Sequence, residues 1–327
     1  MTRTLVAKRQ PLWLAQLRGL LARSGLLLGL ILLFAALSLV APGFLTSRNL
    51  LNVLRAVAFN GIIACAMTFM IVSGDVDLSV GSAVAWASSL LGVLAIKLHW
   101  PLGLAVLFVL LQGAFFHALA GYIRVKWNVL AFVVTLTLYM SLRGAARLIT
   151  NAYPITPFPD SFAFWGQGYI ARFIPVPAVM MVIMFVAFHF ISTRTVFGRS
   201  VYSVGGNEEA ARLSGIPVWR TRITIFALSG LLSALSGIVL SSRIMSGSSL
   251  IAVGLEFEII AAVIIGGASM SGGEGTIGGT FLGVLFIGLL TNGMVLLGVT
   301  QFWQEISRGL IILFAVLIGI WQRPAHK

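Results

Sequence analysis

The chain has 327 residues, 59% hydrophobic and only 9% charged, a balance that excludes a water-soluble globule and makes it a polytopic membrane protein. Lys and Arg outnumber Asp and Glu by 22 to 9, but they sit in connecting segments between apolar runs, where they orient a bundle in lipid; nucleic-acid binding is excluded as a partner class. The lone cysteine, Cys65, lies inside an apolar run and leaves no intrachain disulfide or cysteine metal site.

Residues 1–24 form a basic N-terminal segment holding Arg3, Lys8, Arg9, Arg18 and Arg23. The first apolar run, 25–41, ends in V-A-P-G-F without a small-x-small cleavage site, so it is expected to stay as an anchor. Runs at 56–73, 80–97, 102–122 and 129–149 follow, then a proline- and aromatic-rich outer loop, 150–172, suited to an interfacial or capping position. After the run at 173–191 comes a polar connection, 192–222, and then runs at 223–241, 259–270, 278–297 and 306–321. The expected fold is therefore an all-α bundle of about ten transmembrane helices within residues 25–321, with 322–327 as a tail.

The basic residues set the orientation. With the N-terminus inside, the cytoplasmic segments hold the N-terminal cluster, Arg124 and Lys126, then Arg194, Arg199, Arg212, Arg220 and Arg222, and finally Arg323 and Lys327. Both termini are then cytoplasmic, in a cell (inner or plasma) membrane. A weak internal repeat accompanies this map. Ile62-Ile63-Ala64 followed by Asp77-x-Ser79-Val80-Gly81 recurs as Ile259-Ile260-Ala261 followed by Glu274-x-Thr276-Ile277-Gly278, as expected of a parallel duplication about the membrane normal.

The one long polar island, 198–217, faces the cytoplasm on this map. Within it Gly205 and Gly206 permit a close approach, and Asn207, Glu208, Glu209, Ala210, Ala211, Arg212 and Leu213 read as a short helix. Asn207 caps its start, the glutamates favour the positive end of its dipole, and Ser214-Gly215-Ile216-Pro217 stops it. Such a helix suits the cleft of a motor protein; a solvated amphipathic connector is the alternative.

No phosphate-binding loop or zinc signature occurs, so the chain itself is expected to bind no cofactor and no metal and to catalyse nothing. Energy for uphill transport must come from an ion gradient or from a separate ATPase. Gradient coupling uses ionisable groups in mid-membrane, and on this map all acids avoid the middle of a run. Asp77 is expected to cap the third helix with Ser79 following, or to serve an inner gate; Asp75 is expected to be solvated at the same turn or to belong to the gate; Glu274 sits in a glycine-rich turn that serves as gate or connector. Asn60, Gln112, His117, Thr135, Thr137 and Asn292 are polar groups inside runs, expected to bond between helices, with pathway lining as the alternative.

Three blocks make the sequence recognisable: S-G-D-V-D-L-S-V-G-S at 73–82, F-G-R-S-V-Y-S-V-G-G-N-E-E-A-A-R-L-S-G-I at 197–216, and E-F-E-I-I-A-A-V-I-I-G-G-A-S-M-S-G-G-E-G-T at 256–276. With F-V-V-T-L at 132–136 and G-V-T-Q-F-W-Q at 298–304, the chain resembles the membrane permeases of ATP-binding-cassette importers for monosaccharides, the ribose, xylose, arabinose and autoinducer group. Two departures stand out. That family usually has G-G-I-D-L-S where this chain has Asp75 as an added charge, and Pro-Pro where this chain has Leu130-Ala131. The resemblance implies a second permease copy or paralogue, two nucleotide-binding domains that hold ATP-Mg, an extracytoplasmic sugar-binding protein, and surrounding lipid. It also implies that residues 207–213 are the coupling element. A gradient-driven carrier or facilitator for a small polar solute is the alternative.

Overall fold

A computed structural model describes residues 12–171 and 173–321. The expected tail and the first eleven residues of the N-terminal segment lie outside them.

In chain order the helices are α1 (Leu12–Val40), α2 (Ser47–Val72), α3 (Val80–Gly92) with a π-helical extension (Val93–Lys97), α4 (Leu102–Lys126) and α5 (Ala131–Thr150). A short α6 (Ala163–Gln167) and a two-stranded antiparallel hairpin, β1 (Tyr169–Ile170) and β2 (Ile174–Pro175), precede α7 (Val176–Arg194). Then come α8 (Val196–Gly206), α9 (Glu208–Leu213), α10 (Val218–Ile244), α11 (Leu255–Ile265), α12 (Ile277–Leu296) and α13 (Gln301–Trp321). Lipid offers no partners for backbone polar groups, so long apolar segments satisfy them internally as helices.

Among the described residues seven helices are long and apolar enough to cross a membrane: α2, α3 with its extension, α4, α5, α7, α10 and α12. The expected run at 259–270 does not continue as helix, because Gly266 caps α11 and Gly267 takes φ +91°. Its 11 residues rise only about 16 Å, roughly half a hydrocarbon core.

Burial ranks the helices. In α2, 83% of the most apolar window is buried within the protein, against 22% in α4 and in α5, so α2 is the central post and the latter two lie at the periphery. Its residues Ile62 to Val72 are packed on all sides, which explains an apolar run with no polar face. Small residues set the closest crossings. A Cβ on Gly113 of α4 would lie 2.8 Å from the Gly230 carbonyl oxygen of α10, and one on Gly266 would lie 2.6 Å from the Gly279 carbonyl oxygen of α12.

The loop 150–172 is anchored rather than free. Ile155 exchanges two backbone hydrogen bonds with Gly247 at 2.9 and 3.0 Å, and Phe158 and Phe162 are buried against α3, α4 and α10. Phe164 and Trp165 remain exposed.

Candidate functional site

The polar island folds as two helices meeting at Asn207. Thr195 accepts the Gly198 N–H at 3.0 Å to start α8, and Asn207 accepts the Ala210 N–H at 2.9 Å to start α9. Glu208 and Glu209 occupy the first turn of α9 and Arg212 the last, an arrangement that complements the helix dipole. Arg212 pairs with Glu209, whose carboxylate raises the guanidinium pKa further. Ala211 faces inward, whereas Leu213 is 80% exposed on a helix otherwise dominated by charge. Gly215, at φ +80°, ends the helix.

Gly205 is a close-approach glycine. A Cβ there would overlap the Val72 carbonyl oxygen at the end of α2. That same oxygen accepts the Gly273 N–H at 2.8 Å, and the Tyr202 hydroxyl donates to the Gly275 carbonyl at 2.9 Å. The α8–α9 segment therefore rests on the α2–α3 turn and the α11–α12 turn at once. Gly206 has nothing within 4 Å of its would-be Cβ and is not a packing glycine.

Behind α9 lies a chain of charges. Asp75, expected to be solvated or gating, is only 3% exposed: it accepts the Arg124 Nε–H at 3.2 Å with one oxygen and pairs with Arg222 through the other. Arg222, itself 5% exposed, also donates to Glu208 at 2.6 Å. Two carboxylates and two guanidiniums thus form a neutral network that joins the α2–α3 turn, the end of α4, the start of α10 and the start of α9. Burial of Asp75 follows from this pairing, since a lone carboxylate could not be held out of water so cheaply.

Asp77 is also more deeply placed than its position in a turn suggests. It is fully buried; one oxygen accepts the Ser79 N–H at 2.8 Å and the Ser79 hydroxyl at 2.5 Å, the other the Ser229 hydroxyl at 2.6 Å. Ser79, not Asp77, holds the N-cap position of α3, so the expected cap is displaced by two residues. His117 of α4 brings Nε2 to 3.4 Å from Asp77 and 3.0 Å from the Ser79 hydroxyl, while its Nδ1 donates to the Gly113 carbonyl at 3.1 Å. This cluster fastens the start of α3 to α4 and α10.

The other expected residues separate. Thr135 is buried and donates to the Val76 carbonyl at 3.2 Å, so it holds the Asp75–Asp77 turn from α5. Asn60 donates to Glu258 at 2.9 Å and joins α2 to α11. Asn292 exchanges hydrogen bonds with Asn49 at 2.9 and 3.1 Å and joins α12 to the far end of α2. Thr137 is exposed and bonds to the Val133 carbonyl of its own helix. Glu274 is exposed in its turn.

Sequence reasoning gave no role to Arg143. It is buried in α5 and donates to Ser82 Oγ at 3.2 Å and to the carbonyls of Ser249, Ile251 and Ala252 at 3.2, 2.8 and 3.2 Å. It thereby satisfies the irregular α10–α11 connection, which membrane burial would otherwise leave unpaired. The available signal was an arginine within an apolar run. Ser229 left none, because serine in a membrane helix is common.

The fold and this charged end define a polytopic helical membrane protein with a structured polar platform at one end. A family profile described as "Branched-chain amino acid transport system / permease component" matches residues 49–317. The chain is 49% identical over 296 residues to the probable ABC transporter permease protein YphD of Escherichia coli K12, covering 90% of this chain and 89% of that one. It is 42% identical over 302 residues to the ribose import permease protein RbsC of Bacillus subtilis, covering 92% and 93%. To the L-arabinose ABC transporter permease protein AraH of Azospirillum brasilense it is 38% identical over 308 residues, covering 94% and 90%. No solved structure matches. The chain belongs to the ABC importer permease family that includes these ribose and arabinose permeases. It is a transport subunit, not an enzyme.

Proposed function

We propose that this chain forms the translocation pathway of an ATP-driven, binding-protein-dependent importer of a monosaccharide or a related sugar-like signal, and that α9 couples it to a separate ATPase. The observation that carries this reading is the α8–α9 platform, a capped, charged helix with an exposed Leu213, seated on two inter-helix turns. The ribose and arabinose relatives support a sugar over the amino acid in the family description. ATP-Mg belongs to the partner, and this chain binds no cofactor.

The complete importer has two permeases, two nucleotide-binding domains and an extracytoplasmic sugar-binding protein. Arg124, Lys126, Arg194, Arg199, Arg212, Arg220 and Arg222 gather at the α9 end, which supports a cytoplasmic location for that end in a cell membrane. Ten crossings with both termini inside fit the same orientation: α1 and α13 add two to the seven, and the short α11 makes the tenth together with the irregular α10–α11 connection before it. The parallel repeat finds support in helix starts at Val80 and Ile277, in N-cap positions at Ser79 and Thr276, and in the hydrogen bond that joins the two preceding turns.

The buried Asp77–His117 pair is the one feature that favours a gradient-driven carrier. Its carboxylate already accepts three hydrogen bonds, which suits a structural fastening better than a group that exchanges its cation.

The test is a mild-detergent pull-down of the tagged chain from its native membrane. An ATPase with nucleotide-binding motifs is expected to come with the wild type and to be lost with Leu213→Asp. Recovery of the chain alone contradicts the reading.

A further inference from the structure

The charged network behind α9 has a topology that a solvated loop does not need. Four ionic groups from four separate elements meet in a row: Glu208 at the start of α9, Arg222 near the start of α10, Asp75 in the α2–α3 turn, and Arg124 in the last turn of α4. Side-chain exposure falls from 45% at Glu208 to 5% at Arg222 and 3% at Asp75, then rises to 14% at Arg124, so the row starts at the platform and its centre, Arg222 and Asp75, is buried. Arg222 is the bridging member, with Nη1 on Asp75 and Nη2 on Glu208.

We propose that Asp75 is a positioning residue, through which Arg222 locks α9 to the α2–α3 turn so that α9, the turn and the inner end of α4 move as one rigid unit when the motor acts. This rests on the coupling role of α9 and adds the route by which its displacement enters the bundle. Asp75 is suited to the task because each carboxylate oxygen takes a different arginine, so one side chain spans two elements while sitting in a third. The turn that carries it is tied onward: Thr135 of α5 holds the Val76 carbonyl, and Asp77, two residues on, joins α3 to α4 and α10. The close packing of Gly205 against the Val72 carbonyl supplies a second attachment to the same turn. Asp75 therefore governs rigidity of the joint, and its loss leaves α9 attached but slack.

The experiment places spin labels at Ser214→Cys, the exposed C-cap of α9, and at the exposed Trp127→Cys, in one permease copy of an importer whose other copy is unlabelled, purified with its ATPase and reconstituted in lipid vesicles. The native Cys65 is fully buried and stays unlabelled. The label-to-label distance is read without nucleotide and with ATP plus vanadate. The unaltered network is expected to give one narrow distribution, unchanged between the two states. Asp75→Asn is expected to keep the ATPase bound while splitting or broadening the distribution on ATP plus vanadate, and Asp75→Glu to restore the narrow one. Glu208→Gln, at the half-exposed outer edge of the network, is expected to behave like Asp75→Asn. The double variant should show no larger effect than either single one, because both break one route. A narrow, nucleotide-independent distance in both Asp75→Asn and Glu208→Gln, with the ATPase still bound, overturns the rigid-unit proposal alone. Absence of any ATPase from the wild-type preparation overturns the coupling reading and this proposal together.

Discussion

Adjacent glycines in the polar island have opposite roles, and a matched pair of substitutions separates them. Gly205→Ala places a methyl group on the Val72 carbonyl oxygen, which also accepts the Gly273 N–H; something must shift. Transport by the assembled importer is expected to fall by about tenfold or more, since a misplacement of about 1 Å in a mechanical joint is not absorbed by packed backbone. Gly206→Ala, with open space around it, is expected to transport like wild type in the same uptake assay. Equal behaviour of the two would remove Gly205 from the joint. At Asp77, Ser229→Ala removes one of the hydrogen bonds to a buried carboxylate and is expected to cost about 1.5–3 kcal/mol, read as a lower midpoint in thermal unfolding of the detergent-solubilised protein.

How much the sequence reveals differs even between neighbouring residues. Asn207, Glu208, Glu209 and Arg212 announce a capped helix because caps and dipole partners act within a few positions. Asp75 does not announce its burial, because its partners lie 49 and 147 positions away, and nothing local distinguishes a clamped carboxylate from a solvated one. The same distance hides the pairing of Asn292 with Asn49, 243 positions apart.

At the level of elements, the runs of apolar sequence locate the helices, since lipid demands helical backbone wherever a chain stays apolar for long. They fail where a helix ends inside such a run. The segment 259–270 stays apolar past Ile265, yet Gly266 and Gly267 turn the chain toward Gly205 and Val72. The crossing of α4 and α10 tests the packing account directly. A methyl group at Gly230 would run into the Gly113 carbonyl and the His117 ring, so Gly230→Ala is expected to lower the unfolding midpoint by several degrees. Gly144→Ala, with nothing within 4 Å, is expected to leave it unchanged. In α9, only six residues long, Asn207→Ala removes the cap and is expected to cost about 1 kcal/mol of local helix stability. The measurable consequence is weaker retention of the ATPase in the pull-down, with the unfolding midpoint of the bundle untouched.

For the whole molecule, polar architecture and mechanics divide along the membrane normal. The far end is braced by Asn49–Asn292, by the Ile155–Gly247 bridge and by the loop aromatics Phe158 and Phe162. The α9 end concentrates charge, turns and close backbone contacts in one platform. On the proposed function, such an arrangement places the moving joint at the end on which a soluble motor pushes.

The central claim is that transport is driven through α9, and uptake into vesicles tests it most directly. The permease, its co-purified ATPase and the binding protein are reconstituted, and entry of radiolabelled D-ribose and L-arabinose is followed with and without ATP on the α9 side. The account predicts ATP-dependent entry of at least one monosaccharide, reduced about tenfold or more by Leu213→Asp, a substitution at a residue 80% exposed, away from the inward face of α9, that leaves the bundle inserted. Sugar entry by the permease alone, or ATP-driven entry undiminished by Leu213→Asp, would contradict it.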